Sequence, residues 1–339
     1  MKHGGNIVQF ARQLGCSPAA VLDFSANINP NQAVDLNCLQ LVALSPYSDP
    51  DYGLLKVAIN QRYPTADGVD LEVFNGASAA IFALLRWLQP QQLVLYAPLY
   101  VEYAHIAAPL GCQIHTINRF HDNLTTVPKG STVVFVNPAT PDGQLYDLQD
   151  LLSVWQAADC TIIIDESFLD FCEAESVANH IANYAKLFVI KSLSKFYGCA
   201  GIRIGFVWGT ALAIAALKQL EPAWKLSSLD MAYMQQALAN TDFIVQTRAQ
   251  TIALRALLHE ILDASGLFEQ IYPGQANFLL ARLRDEGDGY LLQQHLARSR
   301  VLIRVCDNFV GLNNTYVRFA VKTEFTLHQL ARSLKGSPL

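Results

Sequence analysis

The sequence predicts an α/β protein, with a large domain built on a mostly parallel sheet flanked by helices and a small α+β domain after it. Three observations lead there. Short apolar runs alternate with stretches of helical period through the first two thirds of the chain, as crossover-connected parallel strands require. Polar residues directly follow several of those runs, at the strand ends where open α/β sheets carry ligands. The 339 residues, 52% of them hydrophobic, suffice for two domains. The division read from the chain is an N-terminal arm with part of the small domain over 1–45, a large domain over 46–240, and a linking helix with the C-terminal small domain over 241–339.

Composition removes several classes. Charged residues make up 16%, too few for a disordered chain. A net charge of -5 offers no basic field for nucleic acid, whereas a small anionic substrate needs only local arginines. The seven cysteines are scattered, odd in number and free of any CxxC pair, which reads as a reduced cytoplasmic protein and not as a disulfide framework or zinc site. No apolar signal core opens the chain, and no run approaches a membrane span.

The elements follow in order. His3-Gly4-Gly5-Asn6 leads into a helical pattern over Ile7 to Leu14. Leu22-Asp23-Phe24-Ser25-Ala26-Asn27-Ile28-Asn29-Pro30 is a polar loop, and an imidazole and an amide such as His3 and Asn27 are suitable partners for an anion. The turn-rich segment around Tyr47 enters a helix near Leu54. Gly76-Ala77-Ser78 opens the helix Ala79 to Leu88, whose free N–H groups and positive dipole end can bind phosphate. Gln92 to Tyr96 reads as a strand, and Tyr100 beyond its end can stack on a planar ring or serve as an ordinary core tyrosine. Thr132 to Val136 is a strand running into Asn137-Pro138-Ala139-Thr140-Pro141-Asp142-Gly143. The strand Cys160 to Ile164 ends at Asp165, which taken alone would more often be a helix N-cap.

Leu187 to Ile190 is a buried strand, followed by Ser192-Leu193-Ser194-Lys195, a glycine-punctuated loop, Arg203, and a second apolar run from Ile204 to Trp208. Taken singly, Lys195 is a surface lysine. Its neighbours suggest more. A lysine amine forms a Schiff base with an aldehyde and loses basicity when desolvated. Ser192, Ser194 and Arg203 can bind a phosphate, the arginine by a bidentate fork. Helices follow at Ala211–Leu220 and Leu229–Ala239, then a long amphipathic helix over 241–265 with Gly266 at its end. The small domain supplies strands at Ala276–Ala281, Val301–Val305 and Tyr316–Val321, and helices at Tyr290–Arg298 and Glu324–Leu334. Arg304 and Arg318 interrupt two of those strands, where alternation alone would put them on a solvated face.

Lys195 with its serines and Arg203 resembles the cofactor-lysine motif of pyridoxal-phosphate enzymes of the aspartate aminotransferase fold. HGGN, DFSANINP and VLIR.CDNF.GL resemble the threonine-phosphate decarboxylase family of cobalamin biosynthesis, a near relative of histidinol-phosphate aminotransferase. The likeness runs from His3 to the terminal helix. It implies pyridoxal 5'-phosphate held by Lys195, with Asp165 on the ring nitrogen, Tyr100 stacked on the ring, and Ala77, Ser78, Ser192, Ser194 and Arg203 at the phosphate. It further implies a homodimer in which Tyr47 reaches the partner's cofactor, and a small phosphorylated amino-acid substrate bound by His3, Asn27, Arg304 and Arg318. The implied reaction is decarboxylation of L-threonine O-3-phosphate to (R)-1-amino-2-propanol phosphate. An amino-acid aminotransferase carries the same cofactor motifs, and a non-catalytic binder of the same fold is a further alternative. Two departures stand out: Thr140 replaces the asparagine that the family directs at the cofactor's phenolic oxygen, and Leu226-Ser227 replaces a Val-Asn pair.

Overall fold

A computed structural model of the chain describes residues 4–39, 42–121 and 123–336. Helix α1 (Ile7–Leu14) is capped by the Asn6 side chain, which accepts from the Gln9 N–H at 3.1 Å. The two-residue strand β1 (Leu22–Asp23) pairs in parallel with residues 301–302, which ties the arm to the C-terminal part of the chain.

Helix α2 (Gly53–Arg62) precedes β2 (Val69–Asn75), α3 (Gly76–Leu88), β3 (Gln92–Ala97), α4 (Glu102–Ala107), β4 (Gln113–Asn118), β5 (Thr132–Val136), α5 (Gln149–Ala157), β6 (Thr161–Asp165), β7 (Leu187–Ser192) and β8 (Ile204–Thr210). These strands form one sheet of order β2-β8-β7-β6-β5-β3-β4. β3 to β7 run parallel, and β8 and β2 complete one side antiparallel. Every residue of β5 and β7 is buried, because helices cover both faces of the sheet. Two apolar cores lie against its faces, one centred on Trp155, Phe196 and Trp208, the other on Leu84, Tyr103 and Ile190.

Helices α6 (Ala211–Lys218), α7 (Ser228–Ala239) and the long α8 (Thr241–Ala264) lead to β9 (Phe268–Ile271), β10 (Phe278–Leu283), α9 (Gly289–Ala297), β11 (Val301–Leu302), β12 (Arg304–Val305), β13 (Tyr316–Ala320) and α10 (Glu324–Leu334). β12-β13-β10-β9 make an antiparallel sheet with its own core around Leu258, Phe319 and Leu330. The expected strand over 301–305 is split at Ile303. Its first half serves the arm and its second half serves β13. Strand β10 begins at Phe278, later than expected, because Gln275 and Ala276 turn back to donate to the Gly143 carbonyl. Among the described residues no helix is long and apolar enough to cross a membrane.

Candidate active site

A cavity of about 440 Å³ opens at the C-terminal ends of the parallel strands, between the large sheet, the arm and the β12–β13 edge. Gly76 turns from β2 into α3 with a φ of +80°, which presents the α3 N-terminus, including the Ala77 N–H, to this space. β8 lies antiparallel beside β2, with Ile204 opposite Asn75, and so Arg203 stands across from that turn. Arg203 donates to Ser194 Oγ at 3.4 Å and to the Ala200 carbonyl at 3.1 Å. Ser194 in turn donates to the Ile202 carbonyl at 3.1 Å. It therefore braces Arg203 in this arrangement and has its own proton engaged. Ser78 Oγ lies 3.3 Å from the Tyr100 hydroxyl, and Ser192 is buried on the same wall.

The floor carries Lys195 and Asp165. Asp165 ends β6, and both of its oxygens are held: Oδ1 accepts from the Ser167 N–H at 2.9 Å and Oδ2 from the Tyr103 hydroxyl at 3.0 Å. Burial raises the Tyr103 pKa well above the ordinary value, and the neighbouring Asp165 charge adds to the rise, so this tyrosine stays a donor. Lys195 keeps some surface open to the cavity but lies deep in the protein. Burial lowers its pKa to about 8; Asp165 opposes that shift, while Arg203 and Arg318 reinforce it. Its Nζ sits 4.6 Å from the centre of the Phe168 ring.

The far wall is cationic. β12 and β13 place Arg304 and Arg318 directly opposite each other, and both are buried at 6% and 8% exposure. The solvated face that alternation allowed is thus not where they lie. Arg318 donates to Thr140 Oγ1 at 3.1 Å and to the Ser25 carbonyl at 2.9 Å. Burial lowers its pKa to about 10. Arg304 donates to Asn308 and stacks over Phe309 at 5.5 Å. Asn27 lines the cavity from the arm. The arm is fastened by Asn29, whose N–H donates to the Lys195 carbonyl at 3.0 Å and whose amide donates to the Phe196 carbonyl at 2.8 Å.

Twelve of the residues singled out in the sequence therefore line one cavity. Tyr47 does not. It is 81% exposed and stacks on Trp224 at 4.8 Å, away from this space. His3 lies outside the described residues. Sequence reading missed Tyr103, which stands in the first turn of α4, three residues beyond Tyr100. It also missed Asn308 and Arg119. The buried Arg119 donates to the Thr140 carbonyl at 3.2 Å and to Asp142 Oδ2 at 2.8 Å, which fixes the loop that presents Thr140.

This donor set fits the pyridoxal phosphate that the motifs imply. A helix N-terminus with Arg203 suits the phosphate, a lysine of lowered pKa suits the aldehyde, and a doubly hydrogen-bonded carboxylate suits the ring nitrogen. Four cationic side chains against one carboxylate line the cavity, which favours a ligand with several negative charges.

Known proteins support the same assignment. The chain is 28% identical over 95% of its length to an adenosylcobalamin biosynthesis bifunctional protein CobDQ of Leptospira interrogans, of which it spans 39%. It is 29% identical to a threonine-phosphate decarboxylase of Salmonella typhimurium, covering 98% of this chain and 96% of that one. Among solved structures, a histidinol-phosphate aminotransferase of Clostridium acetobutylicum superposes with a TM-score of 0.83 at 28% identity, covering 92% of this chain and 98% of the other. A histidinol-phosphate aminotransferase of Sinorhizobium meliloti, solved in complex with pyridoxal-5'-phosphate, shares the fold at a TM-score of 0.84 and 19% identity, over 96% of this chain and 92% of the other. The profile of aminotransferase class I and II matches residues 47–334. The chain belongs to the aminotransferase class I and II family, whose members work with pyridoxal 5'-phosphate.

Proposed function

We propose that the protein decarboxylates L-threonine O-3-phosphate to (R)-1-amino-2-propanol phosphate. The observation that carries this reading is the register of Arg304 against Arg318, two buried guanidinium groups facing one small cavity. A short amino acid with a carboxylate and a phosphate matches two such sites. Arg318 would take the carboxylate, and Arg304 with Asn27 would take the phosphate. The likeness to the Salmonella decarboxylase over nearly the whole of both chains supports the choice.

Lys195, Asp165 and the Ala77–Arg203 cup would hold the cofactor, with Ser78, Ser192, Ser194, Tyr100 and Thr140 around it. When bound, pyridoxal phosphate supplies an electron sink for the pair left at Cα as a bond there breaks. The protein decides which bond that is. Arg318 and Arg304 fix the two ends of the substrate, so the Cα–carboxylate bond can be held across the plane of the ring. Asp165 would face the ring nitrogen, held in place by the Tyr103 hydroxyl and the Ser167 N–H. Lys195 Nζ, with its pKa near 8, is suited to return a proton to Cα at neutral pH. Tyr47 stands exposed and outside its own chain's cavity, which agrees with service to a second subunit in a homodimer.

The test is carbon dioxide release from L-threonine O-3-phosphate by the cofactor-loaded protein with no 2-oxoglutarate present. Release supports the decarboxylase. No release, with glutamate formed from 2-oxoglutarate and histidinol phosphate, would instead support the aminotransferase reading that the Clostridium structure favours.

A further inference from the structure

Lys195 follows β7 of the large sheet and Arg318 lies in β13 of the small one, yet each rests on an aromatic ring, and the two rings touch. Lys195 Nζ lies 4.6 Å from the centre of Phe168, which follows β6. Arg318 Cζ lies 5.2 Å from the centre of Phe278, the first residue of β10. The two rings meet edge to face, with centres 4.9 Å apart and planes at 78°. Phe168 is 5% exposed, and Phe278 is fully buried. Among the described residues Lys195 Nζ has no hydrogen-bond partner, and no carboxylate bonds to Arg318. Both cations are thus seated on aromatic faces, where attraction to a desolvated ring is strongest.

We infer that Phe168 and Phe278 form a positioning platform that sets the separation of Lys195 from Arg318 across the junction of the two sheets. What the platform measures rests on the proposed reading: an α-amino acid whose amine meets Lys195 while its carboxylate meets Arg318. A ring pair is a suitable gauge because aromatic side chains have few rotamers and close-packed rings resist compression. It supplies no acceptor that would hold the lysine proton. Phe168 and Phe278 are positioning residues that act through Lys195 and Arg318.

The test reads Lys195 without any substrate. Only the neutral amine captures an aldehyde, so the rate at which the apoprotein captures pyridoxal phosphate rises with pH through the lysine's pKa. The charged groups facing Lys195 are Asp165 from β6, Arg203 ahead of β8 and Arg318 from β13. All three are retained in the variants. Phe168→Leu removes the ring that favours the charged amine, and the midpoint is expected to fall by roughly half a pH unit. Phe278→Leu touches Arg318 and Phe168 but not Lys195, and it is expected to move the same midpoint in the same direction by letting Phe168 shift. Phe278→Met is the substitute if the leucine variant melts out. The double variant is expected to match Phe168→Leu alone, since one platform can be lost only once. An unmoved midpoint in Phe168→Leu would overturn the inference. So would a Phe278→Leu midpoint that stays at the wild-type value, or a double variant whose shift is the sum of two non-zero single shifts. Failure of wild-type carbon dioxide release would sink the proposed reaction and leave this result standing.

Discussion

Gly76→Ala tests the proposed phosphate cup directly. Gly76 has a φ of +80°, and a methyl built on it would overlap Nη2 of Arg203 and lie 2.9 Å from Cζ and 3.3 Å from Nε. Carbon contacts normally sit at about 3.5–4.0 Å, so the guanidinium must retreat by roughly 0.6–1.1 Å. That is enough to misalign charge-assisted hydrogen bonds worth about 1.5–3 kcal/mol. Cofactor affinity is therefore expected to fall roughly 10- to 100-fold. The left-handed backbone adds a cost of about 1–2 kcal/mol to folding, which lowers Tm by only a few degrees in a chain of this size. Titration of the apoprotein with pyridoxal phosphate, followed by absorbance, measures the first effect, and a thermal melt the second. Gly205→Ala provides the contrast. Its methyl would press on the Ala77 nitrogen and come within 2.8 Å of the Gly76 carbonyl carbon, and this backbone cannot swing aside. That variant is expected to lose far more Tm than Gly76→Ala. If Gly76→Ala bound the cofactor with wild-type affinity, Arg203 would not belong to the phosphate site.

Two further variants, Lys195→Met and Tyr103→Phe, test the site. Lys195 has a folded-state pKa of about 8 against an ordinary 10.5, so the unfolded chain binds more protons between those values and apoprotein stability rises with pH across that window. Lys195→Met removes the cost of burying the charge. Its apoprotein is expected to melt above wild type near pH 7, with the gap closing by about pH 10, and a less stable variant near pH 7 would refute the assigned burial. The same variant is expected to lose all borohydride-fixable cofactor colour. Tyr103→Phe deletes one of the two donors on Asp165, and a roughly 3- to 10-fold loss of cofactor affinity is expected from a hydrogen bond worth about 1 kcal/mol. Unchanged affinity would mean that the Ser167 N–H alone is sufficient to hold that carboxylate.

Much of the fold could be read from the chain because its central strands are continuous apolar runs with chemistry at their ends. The strands at 132–136 and 187–192 are buried throughout and announce themselves. The outer strands do not. β2 hides behind Asp70 and Glu72, since Glu72 is buried only through its ion pairs with Lys56 and Lys225. β4 is a half-exposed border strand with mixed polarity. The side of the cavity lined by Lys195, Asp165 and Arg203 is built from local motifs, so the convergence of those residues was legible. The substrate end depends on a register, Arg304 against Arg318, and on contacts between residues far apart in the chain, such as Arg318 with Ser25 and Thr140. No local pattern encodes those pairings. Arg119 is the clearest case. Its partners Thr140 and Asp142 lie more than twenty residues away, so a lone arginine after a strand gave no hint of its clamp.

The pairing of Leu22 with Val301 and of Asp23 with Leu302 has a consequence for biogenesis. Leu22 and Asp23 find their strand partner only after nearly three hundred further residues have been made, and Arg318 must follow before the Ser25 carbonyl is engaged. The large sheet can gather its neighbours as the chain emerges, but the pocket is closed by segments nearly three hundred residues apart. Such long-range closure is a slow step. A nascent or truncated chain that ends before β11 would carry Lys195 and Asp165 with no far wall and no strand partner for β1, leaving Asn29 to hold the arm, so the cavity is complete only once β13 has been made.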